Sequence, residues 1–323
     1  MKKKILGMIK NNMPWLILIL ICIVFSMFSK NFLTMRNVIN ILNQNAYVVV
    51  CAIGITFIMM SGQIDLSVGY QMSLIGIILG LLARDHGAST PVLIITAIIL
   101  GVILNVFNTF LSIKLHIIML MVSTATSMLY QGISYTLSGS KSISAFPDSY
   151  KFIGQGSILN DKLPVAIIIL FVCAIVMEIF LTKTYWGRHI YALGGNENAS
   201  RLAGIVVNRT KMMIGVIAGI FVGLSTVLLT SRVGSVTSSL GPGTEFTVIT
   251  GILLGGVSVR GGNGRLSGVV AGILIMAILG NGMQLSGMGV YLQYVVKGVI
   301  MLTAIGIDVY QLTHQKIVED KVE

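Results

Sequence analysis

The sequence is poor in charge: only 10% of its 323 residues are Asp, Glu, Lys or Arg. Soluble domains carry about 25% charged residues, so this deficit excludes an ordinary soluble fold. Hydrophobic residues make up 55% of the chain, and the mean hydropathy is +0.91. A helix needs ~20 mostly apolar residues to cross a bilayer. The composition therefore predicts an all-α, polytopic membrane protein.

Residues that carry catalysis or bind metals are also scarce. The 3 cysteines, Cys22, Cys51 and Cys173, lie inside apolar runs without CxxC spacing, and the 4 histidines are scattered. No HExxH motif and no Ser-His-Asp set is visible. The chain contains no Gly-Lys dipeptide and therefore no Walker A phosphate loop. We expect no enzymatic activity, no cofactor bound by this chain and no metal site.

Hydropathy predicts about ten transmembrane helices. With the N-terminus inside, the cytoplasmic segments hold twice as many Lys and Arg as the outer ones. Positive charge retains loops in the cytoplasm, so both termini are predicted there, and the net charge of +11 does not indicate nucleic acid. The eighth helix is short and the second and third nearly touch, which allows a broken or re-entrant segment at either place. The ten segments lie near residues 15–29, 45–61, 66–83, 91–112, 115–137, 163–181, 212–231, 245–259, 266–284 and 290–307.

The helices are expected to form a single transmembrane domain over residues 1–323. The first is interpreted as an uncleaved helix, because no small-residue cleavage site follows its apolar run. A polar outer loop is predicted at 138–162, a long inner loop at 182–211 and a cytoplasmic tail at 308–323.

Within the inner loop, the sequence GGNENASRLAGI predicts a short isolated helix. Asn196 is a suitable N-cap, Glu197 would complement the helix dipole in the first turn, and Gly204 can end the helix in a left-handed conformation. One small apolar face is formed by Ala199, Leu202 and Ala203. A helix of about eight residues is not stable alone in water. It must pack either on its own membrane domain or on a cytoplasmic partner.

Five blocks of the sequence, in order, resemble the ABC-importer permeases of the ribose and simple-sugar family. They are FLTMRNVINILNQ (32–44), GQIDLSVG (62–69), YALGGNENASRLAGI (191–205), GPGTEFTVITGILLGGVSVRGGNGRLSG (241–268) and YVVKGVI (294–300). Together they are spread along most of the chain, from residue 32 to residue 300. One departure is Gln63, where the family usually has glycine.

The resemblance implies a permease of the cell membrane that imports a monosaccharide or a similar small polar solute. It implies a second permease copy, in a homo- or heterodimer, ATPase subunits that carry ATP and Mg²⁺, and an extracytoplasmic solute-binding protein. The short inner helix would be the coupling helix, which docks in the ATPase. Its residues would be Gly194, Gly195, Asn196, Glu197, Ala199, Arg201, Leu202, Ala203 and Gly204. The alternative is an ion-gradient-driven carrier or channel, which typically needs ionisable residues in mid-membrane.

Asp65 is the charge that most needs a reason in this apolar chain. It could cap the third helix with the help of Ser67, while Gly62 and Gly69 permit a tight turn and close packing. It could instead line the translocation path. Two further sets are candidates for the path. Asn105 and Asn108 could bind a hydroxylated solute or neighbouring helices, and Lys297 could face the path or extend to the outer interface.

Overall fold

A computed structural model describes residues 12–28, 31–158 and 163–319, with side chains to residue 310 except that of Phe28. The chain is almost entirely helical, as predicted. The helices are α1 Met13–Phe28, α2 Met35–Met60, α3 Val68–His86, α4 Thr90–Leu115, α5 Met119–Ser138, α6 Asp148–Gln155, α7 Val165–Lys183, α8 Tyr185–Gly195, α9 Glu197–Leu202, α10 Val207–Val233, α11 Thr244–Leu254, α12 Leu266–Leu285 and α13 Val290–Glu319. The strands β1 Ser157–Ile158 and β2 Leu163–Pro164 form a small antiparallel hairpin.

Each of the ten predicted segments coincides with a helix. Seven helices in the described residues are long and apolar enough to cross a membrane: α2, α3, α4, α7, α10, α12 and α13. The helices α1 and α11 are apolar but shorter. These features make the chain a multi-pass membrane protein, while the count of ten crossings stays a prediction.

The helix boundaries differ from the predicted ones where polar residues or glycine intervene. Helix α2 begins at Met35, about ten residues early, because Thr34 accepts the backbone N–H of Asn37 and the Asn37 side chain bonds Asn281 of α12 at 2.9 Å. Helix α11 ends at Leu254, five residues early, because Gly256 adopts φ +84°. Helix α13 continues to Glu319, so the tail predicted at 308–323 is helical up to that residue.

Helix α10 lies at the centre of the fold, against α2, α3, α4 and α6. Its glycines make the closest approach: Gly219 and Gly223 face Gly101 of α4, and none of the three positions has room for a Cβ. Membrane helices pack closely through small residues because their backbones can then approach. The outer loop predicted at 138–162 is folded onto α10, since Tyr150 of α6 is buried and its hydroxyl lies 2.7 Å from that of Thr230.

Two non-helical segments enter the helical core, one after α2 and one after α10. Residues 61–67 return from the end of α2, and α3 then starts beside the interior of α10, where Ser225 contacts Met72. Residues 234–243 run back along α3, where Gly241 donates its N–H to Ser73 Oγ at 3.0 Å. The first turns of α3 and α11 therefore lie side by side inside the protein. The sequence allowed a break at either place, and the structure has one at both.

Candidate functional site

The short helix α9 has the ends that the sequence predicts. The Asn196 side chain accepts the backbone N–H of Ala199 at 2.9 Å, which satisfies one free donor of the first turn. Gly204 follows the helix with φ +84° and donates its N–H to the Arg201 carbonyl. The six-residue helix is therefore closed at both ends by local backbone chemistry.

Polar and charged groups, rather than apolar ones, attach α9 to the membrane domain. Glu197 contacts Arg201 at 3.3 Å and, through its second oxygen, Lys211 of α10 at 2.8 Å. The Lys211 side chain is only 14% exposed and the Glu197 side chain is 42% exposed, so this second ion pair is partly buried. Motion of α9 is thus joined to the first turns of α10.

The apolar face of α9 is left uncovered. Leu202 is 91% exposed, and Ala199 and Ala203 are exposed beside it, whereas Ser200 is the residue that is buried. The interpretation that this apolar face packs on its own membrane domain is therefore wrong for the single chain. Ala199, Leu202 and Ala203 thus form a small apolar surface that the rest of the described chain does not cover.

The end of α8 rests on the glycine-rich turn 255–265 through main-chain contacts. Gly262 donates its N–H to the Met60 carbonyl at 2.8 Å, and Gly194 packs against both of these residues with no space for a Cβ. Gly261 also lacks room for a Cβ, because it packs against the backbone of Gly62. We call this meeting of residues 60–62, 194–195 and 261–262 the glycine junction. It joins the inner loop to the segment that carries Asp65.

Two side chains hold the glycine-rich turn in place. Tyr191 of α8 donates its hydroxyl to the Gly264 carbonyl at 2.8 Å, and burial raises the pKa of this phenol, which keeps it a donor. Asp308 of α13 accepts bonds from the Ser258 hydroxyl at 3.2 Å and the Val259 N–H at 3.1 Å. No role was predicted for Asp308, because it follows the last predicted helix.

Asp65 is completely buried, and one of its oxygens is fully engaged. Asp65 Oδ1 accepts the Ser67 backbone N–H at 2.7 Å and the Ser67 hydroxyl at 2.6 Å. This is an Asx-type turn directly before α3, because the bonded N–H belongs to the residue that precedes the helix. Neither Asp65 nor Ser67 accepts a backbone N–H of α3 itself, so Asp65 holds the connection before the helix and does not cap it as predicted.

The cluster extends across three helices, as the sequence partly predicted. Ser67 Oγ accepts bonds from Gln71 at 2.7 Å and from Asn108 at 2.8 Å. Asn105 donates to Gln71 at 2.6 Å, and Tyr130 of α5 donates to Asn108 at 2.7 Å. Gln71 and Tyr130 were not singled out from the sequence, because a single polar residue in an apolar helix does not reveal which way it faces.

Two buried oxygens in this cluster have no hydrogen-bond partner: Asp65 Oδ2 and Asn105 Oδ1. A buried polar atom without a partner costs about 1–3 kcal/mol and needs an explanation. Both atoms are acceptors, so a molecule with hydroxyl donors would suit them. The buried polar cluster of Asp65, Ser67, Gln71, Asn105, Asn108 and Tyr130 therefore combines a structural turn with free acceptor capacity.

Glu245 is a second buried carboxylate, which the sequence analysis overlooked. It lies in the first turn of α11, where both its oxygens accept the Gly243 N–H at 3.0 Å, and it touches Gly69 of α3. The favourable end of the helix dipole stabilises a negative charge there. The sequence feature that could have indicated this buried carboxylate is its position in the first turn of a short apolar helix.

The predicted residues thus fall into two groups joined by the glycine junction. Gly62, Asp65, Ser67, Gly69, Asn105 and Asn108 lie in or beside the buried polar cluster, and the nine inner-loop residues lie at α8 and α9. Lys297 belongs to neither group. It is partly buried on α13, and the structure gives it no hydrogen bond or ion pair within the residues described.

Comparison with known proteins identifies relatives along most of the chain. Residues 37–305 match the family model described as branched-chain amino acid transport system / permease component. The chain is 34% identical over 309 residues to the Ribose import permease protein RbsC of Bacillus subtilis (strain 168), covering 94% of each chain. It is 30% identical to the Xylose transport system permease protein XylH of Haemophilus influenzae, covering 92% of this chain and 96% of that one. It is 33% identical to the L-arabinose transport system permease protein AraH of Escherichia coli (strain K12), covering 91% and 88%. No solved structure matches the chain.

Proposed function

This chain belongs to the family of branched-chain amino acid transport system permease components, and from that premise we propose that it is the membrane subunit of an ATP-driven importer for a monosaccharide. Three relatives that align along most of their length are named for ribose, xylose and L-arabinose, which are neutral pentoses. The solute of this chain is a sugar of that chemical class. The protein acts as a permease, not as an enzyme.

The proposal that this chain is driven by an ATPase rests on one observation, the exposed apolar face of α9. The helix is capped by Asn196 and anchored to α10 by the bond from Glu197 to Lys211, yet Leu202 is 91% exposed. An apolar side chain held on a rigid support is the arrangement that fills a groove on a partner. The partner is an ATPase subunit, which supplies the nucleotide-binding chemistry and the Mg²⁺ that this chain has no Walker A loop to hold.

Two connections lead from α9 into the membrane domain. The first is the Glu197–Lys211 ion pair, which moves α10 with the helix. The second is the glycine junction, in which the end of α8 bears on Met60 and Gly262, while Gly261 bears on Gly62 at the start of the segment that carries Asp65. Displacement of α9 by the ATPase therefore reaches the buried polar cluster through backbone contacts, which transmit motion because they cannot be compressed.

The buried polar cluster is the proposed contact for the solute during passage. Asp65 Oδ2 and Asn105 Oδ1 accept no bond in the present conformation, so sugar hydroxyls can donate to them when the helices separate. A permease that receives its solute from an extracytoplasmic binding protein needs only weak contacts of this kind. A second permease copy completes the translocation path between the two subunits.

The decisive test is Leu202→Asp, with Leu202→Met as the matched control. Because the Leu202 side chain is almost fully exposed, Asp should leave folding and membrane level unchanged while it abolishes ATPase co-purification and ATP-driven sugar uptake. Met retains the apolar volume and should behave as the native residue. Normal uptake by Leu202→Asp would refute the coupling role of α9. Sugar uptake driven by an ion gradient in vesicles without ATPase would refute the importer class itself.

A further inference from the structure

A cavity of about 640 Å³, partly open to solvent, lies at the end of the molecule that carries α9. Three parts of the chain line it: residues 61–63 after α2, the connection between α4 and α5 at 112–119, and residues 197–211 from α9 into α10. Sites for small ligands typically measure about 300–1,000 Å³. The cavity is therefore large enough for a monosaccharide with accompanying water.

The polar side chains of this cavity can bind a hydroxylated ligand through hydrogen bonds. Its one carboxylate, Glu197, binds both of its cations, Arg201 and Lys211, so one positive charge is left over. Three other polar lining side chains have no hydrogen-bond partner among the residues that the structure describes: Gln63, His116 and Asn208. Amide and imidazole groups both donate and accept, as sugar hydroxyls do. A sugar therefore finds several hydrogen-bond partners here.

One wall of the cavity is the helix that carries the coupling surface. Glu197 and Arg201 of α9 face Ser112 and His116 at the α4–α5 connection across this space. A ligand that binds to α9 and to the α4–α5 connection together stabilises the present distance between them, since a ligand shifts an equilibrium toward the state it binds better. Movement of α9 would then require the release of that ligand.

We propose that this cavity is a cytoplasmic-side binding site for the transported sugar, and that sugar bound there slows further import. The proposal rests on the function proposed above and adds a regulatory role to it. Sugar that accumulates inside the cell occupies the cavity, bridges α9 to the α4–α5 connection and opposes the displacement of α9 by the ATPase. Gln63, which stands where the resembling family usually has glycine, contributes an amide to this site.

The test uses right-side-out membrane vesicles that contain the complete import system and are loaded with ATP. Initial uptake of radiolabelled D-ribose, D-xylose or L-arabinose is measured with and without the same unlabelled sugar inside. We expect internal sugar to slow uptake with half-maximal effect on the order of 1 mM, because few hydrogen bonds and little apolar area hold it. Asn208→Leu should raise that concentration roughly tenfold, the effect of losing one or two hydrogen bonds.

The control is Asn31→Leu, an exposed asparagine just before the start of α2, whose other end borders the cavity. It should leave the sensitivity to internal sugar unchanged. Uptake that is indifferent to internal sugar, or equal sensitivity in Asn208→Leu and the native protein, would overturn the proposal. Inhibition by internal D-ribose 5-phosphate but by none of the neutral sugars would overturn the ligand class.

A second measurement separates this proposal from the proposed function. Ligand-observed NMR detects sugar binding to the purified permease in nanodiscs, with no ATPase present. Saturable binding that Asn208→Leu weakens would support the cavity site even if ATP-driven uptake were absent, in which case only the importer function fails. ATP-driven uptake combined with no effect of internal sugar would leave the importer function intact and reject the cavity site.

Discussion

Ser67→Ala is the substitution that most directly tests the buried polar cluster. The Ser67 hydroxyl donates to Asp65 at 2.6 Å and accepts from Gln71 at 2.7 Å and Asn108 at 2.8 Å. Alanine leaves both of those amide donors without this acceptor, inside a region that water does not reach. Each unsatisfied buried group costs about 1–3 kcal/mol, so the loss in the free energy of unfolding should be roughly 2–6 kcal/mol.

Ser134→Ala supplies a matched control on α5. Ser134 is also completely buried, but its hydroxyl has no hydrogen-bond partner, so alanine removes a polar group that contributes no bond. We expect this variant to be as stable as the native protein or slightly more stable. The two substitutions change the same atom in the same kind of environment and differ only in the bonds that are lost.

The assay is equilibrium unfolding of the purified chain in mixed detergent micelles, followed by circular dichroism or tryptophan fluorescence. Thermal unfolding of the same samples gives an independent ranking. Ser67→Ala should unfold at a clearly lower denaturant fraction than Ser134→Ala, which should follow the native curve. Equal stability of the two variants would refute the argument that the cluster holds the start of α3 against α4 and α5.

Three further substitutions test separate parts of the structure. Asp65→Asn should fold normally, because the oxygen that accepts from Ser67 is retained. It should lose sugar uptake, because the free acceptor oxygen is replaced by a donor. A loss of folded protein would instead assign Asp65 to structure alone. Gly194→Ala should abolish uptake, since the glycine junction has no room for a Cβ at this position. The control, Gly195→Ala, should be tolerated because its Cβ meets no atom within 4 Å. Similar uptake by both variants would refute the role of the junction. Glu197→Gln and Lys211→Met should each weaken ATPase binding about tenfold, because they break one partly buried ion pair of about 1–2 kcal/mol. The double variant should bind no worse than either single variant, and additive losses in this double-mutant cycle would contradict the prediction.

The helices themselves could be predicted from the sequence, because an apolar run long enough to cross a bilayer has little choice but to be helical. The ends of α9 were also readable, since Asn196 and Gly204 act through their own local backbone. The starts of α2 and α10 were not predicted correctly. Both helices begin with polar residues, and hydropathy alone places their starts later in the sequence. Local chemistry was thus predictable wherever it depended on neighbours in sequence.

What the sequence did not reveal depends on contacts between distant segments. The shortness of the eighth predicted helix allowed a break nearby, but the sequence did not show that residues 234–243, rich in Ser and Gly, re-enter the core beside α3. The burial of Glu245 follows from that re-entry and was missed with it. Asp308 bonds the turn at Ser258 from a helix fifty residues further along, and no periodicity in either segment indicates the pairing.

The glycine junction has a consequence for engineering. Its contacts at Gly62, Gly194 and Gly262 are formed by main-chain atoms, so they do not depend on the side chains that surround them. Under the proposed function, substitutions in the buried polar cluster that preserve the fold should change sugar preference without altering the proposed connection to the ATPase. Hybrid permeases that combine the inner loop of this chain with the helices of a relative should remain energised, provided that these three positions keep glycine.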